Sequence, residues 1–280
     1  MDVKRIAVCR AIAERYCNRG ENDCRWYHGN WDLLKALGIV STSNVHAQDL
    51  DRLLKMAIGD KSKLRILMTG STDDSLLRIV HEVCESLAVD AQFTALDICA
   101  TPLEFMKVFA GEKGIDLEAV RADILQYLPS TRFDIIVTHA FMGNFDDSSR
   151  QLLVNKWHGL LAEDGKVVTI QRVRSADAPS LVKFSASQAD EFIAGALNAA
   201  KQHRVLPVQE LAGVEAIATE FVQRFSTYAI RSKSSLSNLF STAGLKLHCL
   251  EYHRLGQIEK LSGPSVPSSG EYAHIVAGKT

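Results

Sequence analysis

Three residues that could bind a ligand, Gly70, Asp97 and Asp123, stand where successive strands are predicted to end. The stretch LRILMTGSTDDSLLRIV, residues 64–80, passes from an apolar strand through Gly70 into a helix with apolar periodicity. Such a turn leaves free backbone N–H groups at the carboxyl edge of a parallel sheet, where open α/β sheets bind ligands. Asp97 ends the next strand, in TALDIC, and its carboxylate could accept both hydroxyls of a ribose.

Asp123 lies at the end of the third predicted strand, in RADIL. Its carboxylate could accept a hydrogen bond from the exocyclic amine of an adenine while Ile124 and Leu125 cover the ring. Each feature also has a structural alternative: either aspartate could cap a helix or a turn, and the glycine turn could be a plain connection capped by Ser71 or Asp73. Three successive strand ends in register favour an adenosine-binding edge over these alternatives.

A histidine and an aromatic segment could act on a second molecule. His139 ends the strand FDIIVTH, and an imidazole there could take a proton from a hydroxyl, amine or thiol. The segment CRWYHGNWDLL is dense in rings that would suit a planar or cationic substrate: Trp26, Tyr27, His28 and Trp31. Alternatively, His139 hydrogen-bonds to the sheet edge and the tryptophans anchor the segment to the core.

Three later residues are further candidates for contacts with a substrate. Phe225 and Tyr228, predicted on the helix before the sixth strand, could form an opposite wall. Arg172, just past the fifth strand, could meet a substrate carboxylate or point into solvent.

The elements that position these residues alternate between strands and helices after residue 60. Residues 1–60 are predicted to be helical, with a turn at 41–44, and helical patterns over 73–88, 102–112 and 147–162 separate the later strands. This alternation predicts an α/β fold with a parallel sheet covered by helices on both faces. The loop 262–270 joins the last two strands directly, as in an antiparallel pair. The predicted strands are 64–69, 91–98, 118–124, 133–139, 165–173, 246–255 and 271–279.

From about 60 to 173, and again from about 220 to 280, the chain resembles the class I S-adenosylmethionine-dependent methyltransferases. ILMTGST stands at the glycine-rich first motif, ALDI and ADIL are similar to the second and third motifs, and FDIIVTHAFMGNF resembles the strand and loop that face the methyl group. LLAEDGKVVTIQR is similar to the segment LLxPGGxLxI. The resemblance implies a Rossmann-like, mostly parallel seven-stranded sheet with the last strand antiparallel, in a catalytic domain over 61–280 behind an N-terminal helical cap over 1–60.

The resemblance also implies methyl transfer from S-adenosyl-L-methionine, with S-adenosyl-L-homocysteine as product, to a small-molecule acceptor through O, N or S, in the manner of secondary metabolism. The implied catalytic residues are His139, His28 and Tyr27. The implied cofactor contacts are Thr69, Gly70, Ser71, Asp97, Ile98, Asp123, Ile124 and His139.

The first motif departs from the family pattern. Met68 replaces the usual acid and Thr72 a later glycine, which limits how closely a cofactor can approach the backbone. A protein of the same fold that binds the cofactor without transferring methyl is therefore the alternative. An NAD-dependent dehydrogenase is disfavoured because GxGxxG is missing. The absence of NPPY or DPPY after the fourth strand weighs against nucleic-acid and glutamine amino-methylating relatives.

The composition is that of an ordinary globular domain, with 46% hydrophobic and 23% charged residues and a formal net charge of −1. This charge argues against a broad electrostatic contact with nucleic acid or membrane. No long apolar run is present, and charges interrupt the N-terminal apolar positions, so we expect a cytoplasmic protein. The sequence is also compatible with a homodimer. The six cysteines form no CxxC pair, which predicts reduced thiols and no metal site.

Overall fold

A computed structural model describes residues 3–40, 42–202, 208–254 and 271–279. Its main sheet has seven strands in the order β3-β2-β1-β4-β5-β9-β8, and a separate two-stranded sheet pairs β6 with β7. The strands are β1 Lys63–Thr69, β2 Asp90–Asp97, β3 Leu117–Arg121, β4 Phe133–His139, β5 Leu161–Val173, β6 Leu181–Lys183, β7 Ser226–Tyr228, β8 Leu245–Arg254 and β9 Glu271–Lys279.

Ten α-helices are found in the described ranges, and short 3₁₀ turns at 20–22, 43–46 and 142–144 lie between some of them. None of these helices is long and apolar enough to cross a membrane. The helices are α1 Val3–Tyr16, α2 Arg25–His28, α3 Trp31–Ala36, α4 Ala47–Ile58, α5 Ser75–Ser86, α6 Ala100–Lys113, α7 Asp147–Leu160, α8 Ala186–Gln202, α9 Val208–Arg224 and α10 Lys233–Thr242.

The main sheet has the predicted Rossmann-like form. Strands β1 to β5 pair in parallel, whereas β9 runs antiparallel to both neighbours, β5 and β8. Because β1 lies between β2 and β4, the chain reverses its direction of travel across the sheet beside β1. The carboxyl ends of β1 and β4 therefore flank the crevice in which doubly wound sheets bind ligands.

Helices cover both faces of the sheet because the central strands are buried on both sides. On one face, residues such as Ile66 and Met68 of β1 pack with α4, α5 and α6. On the other, Leu67 and Ile136 pack with α7 and α10, where Trp157 is fully buried. Continuous apolar strands of this kind are typical of parallel sheets covered on both faces.

The N-terminal helices fall into two groups. Helix α4 belongs to the main core, since Leu50 and Leu54 pack with the sheet. Helices α2 and α3 instead form a separate apolar cluster with α8 and α9, in which Trp31, Phe192 and Phe221 are buried. The layer over the sheet edge is thus built from both the beginning and the middle of the chain.

The sequence predictions were wrong at three local points. The third strand ends at Arg121, so Asp123 lies in the turn beyond it. Phe225 follows the end of α9, and Tyr228 lies on β7 rather than on a helix. The small sheet of β6 and β7 was not anticipated, because three-residue strands carry too few positions for an alternating pattern. The loop 262–270 and residue 255 lie outside the described residues.

Candidate active site

The turn after β1 brings Gly70 against the aromatic ring of Phe141. Gly70 has φ +69°, and a Cβ built on it would lie 1.9 Å from Phe141 Cδ2. Only glycine accepts both this left-handed backbone and this close contact without strain. The first motif therefore keeps its glycine where the loop after β4 packs directly on the turn.

A large cavity of about 880 Å³ lies along the carboxyl ends of β1, β2 and β3. A volume of this size is within the usual range for sites that hold a cofactor. Seven of the eight predicted cofactor contacts line it: Thr69, Gly70, Ser71, Asp97, Ile98, Asp123 and Ile124.

The two aspartates of this cavity are held by backbone hydrogen bonds. Asp97 Oδ1 accepts a hydrogen bond of 2.8 Å from the Cys99 N–H, and Asp123 Oδ1 accepts one of 2.9 Å from the Leu125 N–H. Burial raises the pKa of Asp97 to about 6. The turn role considered for these aspartates is therefore real, and it orients each carboxyl group at the cavity wall.

Two further features fit this cavity to an adenosine-bearing ligand. The Ser71 hydroxyl is buried and has no hydrogen-bond partner among the described residues. Ile98 is a large apolar side chain that is 63% exposed at the cavity rim. A buried polar atom without a partner and an exposed apolar surface are both stabilised when a ligand covers them.

A second, smaller cavity of about 200 Å³ adjoins the first and contains His139. Both cavities share Tyr27, Asn144, Phe225 and the glycine turn. The eighth predicted cofactor contact, His139, thus faces the smaller cavity. Its other walls include Trp31, His46, Gln171, Arg172, Arg174, Phe221, Tyr228 and Tyr272.

Tyr27 stands at the boundary of the two cavities. Its hydroxyl lies 3.1 Å from Thr72 Oγ1, and its ring packs against Trp31 at 4.9 Å and stacks over Phe221 at 6.3 Å. Burial raises the pKa of Tyr27 to about 12, which keeps the hydroxyl protonated at neutral pH. Thr72, which replaces a glycine of the family motif, therefore forms a hydrogen bond with Tyr27 of helix α2.

His28, the third residue predicted to be catalytic, lines the large cavity and is buried. Its Nδ1 lies 3.5 Å from the Cys17 sulfur. Its catalytic role stays a prediction.

Three imidazoles pack together, and two of them, His46 and His139, line the smaller cavity. The ring centroid of His46 lies 5.1 Å from that of His139 and 5.7 Å from that of His274. Burial and the other two imidazoles lower the pKa of His139 to about 3. Burial also lowers the pKa values of His46 and His274 to about 4, against the opposing effect of Asp49. All three rings are therefore neutral at neutral pH.

We expect this cluster to make the protein sensitive to acid. In the unfolded chain these histidines take up protons below their ordinary pKa of 6.5. In the folded protein His46 and His274 take up protons only near pH 4. Stability is therefore present above pH 6.5 and falls toward pH 4, by about 1.4 kcal/mol per histidine for each pH unit. Urea unfolding at pH 7, 6 and 5 measures this loss. His274→Gln should make the free energy of unfolding depend less steeply on pH. An unchanged slope would contradict the lowered pKa of His274.

Two arginines line the second cavity, and only one of them was a candidate from the sequence. Arg172 was a candidate, and its Nε atom is buried without a hydrogen-bond partner among the described residues. Arg174 was missed, because it lies beyond the predicted strand; it is buried, and burial together with Arg172 lowers its pKa to about 9. Their shared cavity carries positive charge beside aromatic rings.

Comparisons with known proteins agree with this architecture. Residues 77–169 match the family model described as methyltransferase domain. No curated protein matches the chain in sequence.

Solved methyltransferase structures share the fold at low sequence identity. The 1,6-didemethyltoxoflavin-N1-methyltransferase of Burkholderia thailandensis, with bound 1,6-didemethyltoxoflavin and S-adenosylhomocysteine, is 13% identical and has a TM-score of 0.55; the match covers 100% of this chain and 92% of that one. An S-adenosylmethionine-dependent methyltransferase of Clostridium acetobutylicum is 10% identical, with a TM-score of 0.53 and coverage of 91% and 98%.

The match over residues 77–169 and the sheet order give this chain the fold of the class I S-adenosylmethionine-dependent methyltransferases. The features of the large cavity fit S-adenosylmethionine, the cofactor that the resemblance implies.

Proposed function

We propose that the protein transfers a methyl group from S-adenosylmethionine to a small molecule bound in the 200 Å³ cavity. The observation that carries this proposal is the arrangement of two adjoining cavities, one along the strand ends and one around His139. The smaller cavity is large enough for a compact ring and too small for a folded macromolecule. The B. thailandensis relative, which holds a small heterocycle, supports the same substrate class.

The walls of the smaller cavity favour an aromatic acceptor that carries an anionic group. Rings of Tyr27, Trp31 and Tyr228 offer flat apolar surface. Arg172 offers a buried Nε donor that an oxyanion would satisfy, since arginine binds carboxylates through its planar fork. The neutral His139 nearby has an unprotonated ring nitrogen for the proton that an O–H or N–H acceptor loses when it is methylated.

In this proposal the chain's own residues mainly align the reactants. S-adenosylmethionine supplies an electrophilic methyl group when bound. Asp97 and Asp123 orient the adenosine portion, and Tyr27 separates the two cavities so that the acceptor meets the methyl group along one line. The buried Nε2 of His139 has no partner among the described residues. It is placed to accept a hydrogen bond from the O–H or N–H group of the molecule that is methylated.

We also propose that the N-terminal helical segment, residues 1–60, closes over both cavities as a cap. Its support comes from ion pairs to the start of α5: Lys35 Nζ lies 2.7 Å from Asp73, and Arg5 bridges Asp32 and Asp74 at 2.9 and 3.0 Å. Helix α4 is the part of this segment that belongs to the sheet core. The cap in this proposal therefore consists mainly of α1 to α3.

The position of Asp97 in the large cavity leads to a prediction for cofactor affinity. Asp97→Ala should weaken S-adenosylhomocysteine binding by about 1.5–3 kcal/mol, because a hydrogen bond to a charged acceptor is worth that much. Isothermal titration calorimetry measures the change. Asp90→Asn, at the exposed opposite end of β2, is the matched control and should bind as wild type.

The outcomes of this titration separate the hypotheses. Unchanged affinity in Asp97→Ala would remove Asp97 from the site. Wild-type protein that binds S-adenosylhomocysteine, yet methylates no member of a panel of small aromatic acids, would favour the non-methylating alternative. A wild type without any measurable binding would contradict the proposal for methyl transfer.

A further inference from the structure

Three thiols and one imidazole converge between the N-terminal segment and the sheet edge. Cys17 follows α1, Cys24 precedes α2, His28 ends α2, and Cys99 is the N-cap residue of α6. Their donor atoms all lie within 4.8 Å of one another. Nothing in the spacing of these four residues along the chain predicts this convergence, because the fourth comes from a distant strand end.

The distances within the cluster match the edges of a tetrahedron around a metal ion. The sulfurs of Cys24 and Cys99 are 3.5 Å apart, and those of Cys17 and Cys99 are 3.9 Å apart. His28 Nδ1 lies 3.5 Å from the Cys17 sulfur. With Zn–S bonds of about 2.3 Å, a tetrahedral site has sulfur–sulfur edges of about 3.8 Å. The sulfurs are too far apart for a disulfide, and all six cysteines are free.

The groups around the cluster suit thiolate ligands. Thr101 Oγ1 lies 3.0 Å from the Cys17 sulfur, and the Thr101 N–H donates to the Cys99 sulfur at 3.5 Å. Hydrogen bonds of this kind orient and stabilise metal-bound sulfur. Three of the four donor residues are buried, and Cys24 is partly buried. Without a metal, such an enclosed group of thiols would have only weak mutual hydrogen bonds.

We propose that one zinc ion is bound here by three thiolates and one neutral imidazole, those of Cys17, Cys24, Cys99 and His28. Four protein ligands complete a tetrahedral shell and leave no open position, so the ion is structural and not catalytic. Cys24, His28 and Cys99 also line the large cavity. The ion would therefore fasten α1 and α2 to the end of β2, close to Asp97, and hold the N-terminal segment over the cofactor.

The first test is the metal content of the full-length protein purified under reducing conditions without chelator. Mass spectrometry of the acid-digested protein should find about one zinc per chain, as expected for a closed structural site. Cys99→Ser and Cys17→Ser should each lose most of it. Cys84→Ser is the matched control, because Cys84 is buried on α5 away from the cluster, and should keep the zinc.

A second test needs no variant and so does not depend on the variants folding. Wild-type protein is stripped with a chelator and titrated with Co²⁺, which should give thiolate-to-metal charge-transfer bands and the visible bands of a tetrahedral site. Stoichiometric addition of Zn²⁺ should abolish them. In parallel, hydrogen exchange over residues 17–28 should accelerate after the metal is removed.

Either test can overturn the proposal. Equal zinc content in Cys99→Ser and Cys84→Ser would place the ion elsewhere, and a cobalt spectrum without charge-transfer bands would exclude thiolate ligands. These readouts do not involve methyl transfer, so the zinc proposal and the proposed function can fail independently of each other.

Discussion

Gly70→Ala is expected to lower the free energy of unfolding by about 2–5 kcal/mol and to eliminate measurable S-adenosylhomocysteine binding. Two effects add. A left-handed backbone costs a residue with a Cβ about 1–2 kcal/mol, and Gly70 has φ +69°. The new methyl group would also overlap the ring of Phe141, and overpacking of this kind costs about 1–3 kcal/mol. Urea unfolding and calorimetry measure the two losses.

A double-mutant cycle with Phe141→Ala separates the steric effect from the backbone effect. Removing the ring relieves the overlap but leaves the strained backbone, so the double variant should be more stable than the sum of the single effects predicts, by at least about 1 kcal/mol. Gly111→Ala, in helix α6 with nothing within 4 Å of a new Cβ, is the matched control and should fold normally. Additive effects of the two changes would mean that the ring moves away at no cost.

The sheet and the position of Gly70 and Asp97 along one of its edges could be predicted because their signals are local and periodic. Each central strand is a short apolar run followed by a helix with apolar spacing, and this pattern defines a parallel sheet before any contact is known. Once the strands are parallel, Gly70 and Asp97 must share an edge, whatever the details of packing. The sheet order confirms that reasoning. Asp123 was placed less well, since β3 ends at Arg121 and the turn carries the carboxyl group to the cavity.

The smaller cavity could not be predicted to the same extent, because its walls come from segments far apart in the chain. His46 and His274 reach His139 from the two ends of the sequence, and Arg174 follows a strand that ends later than its apolar run. Only the fold brings these residues together. The same holds for the thiols. Their separation along the chain suggested isolated buried cysteines, while the packing of α1 against α6 brings Cys17 to Cys99.

His139→Ala is expected to lower kcat by about 10²–10⁴-fold, the usual contribution of a positioned base, while S-adenosylhomocysteine affinity stays within about threefold. The structural reason for the split is that His139 lines the smaller cavity, whereas the predicted contacts Thr69 to Ile124 line the larger one. Single-turnover methylation of an acceptor and calorimetry with the product give the two quantities. His253→Ala, whose side chain is about half exposed on β8, is the control.

The pH dependence of the same reaction tests whether His139 is neutral in the active enzyme. Burial and two neighbouring imidazoles lower the pKa of His139 to about 3, so the ring is already deprotonated throughout the neutral range. Its activity should therefore show no acid limb near pH 6.5, and kcat should stay flat down to about pH 5, where unfolding is expected to intervene.

A base as weak as His139 suits a methyl acceptor whose proton becomes acidic while the new bond to carbon forms. An amine is such an acceptor. A sharp acid limb near pH 6.5 in wild type, absent in His139→Ala, would contradict the burial of this imidazole. Collapse of cofactor affinity would instead make His139 a cofactor contact. If His28→Ala alone slowed turnover while the protein kept its zinc, His28 would be the base and the metal would have other ligands. If neither change slowed turnover by more than about tenfold, the reaction would rest on alignment of the two cavities alone.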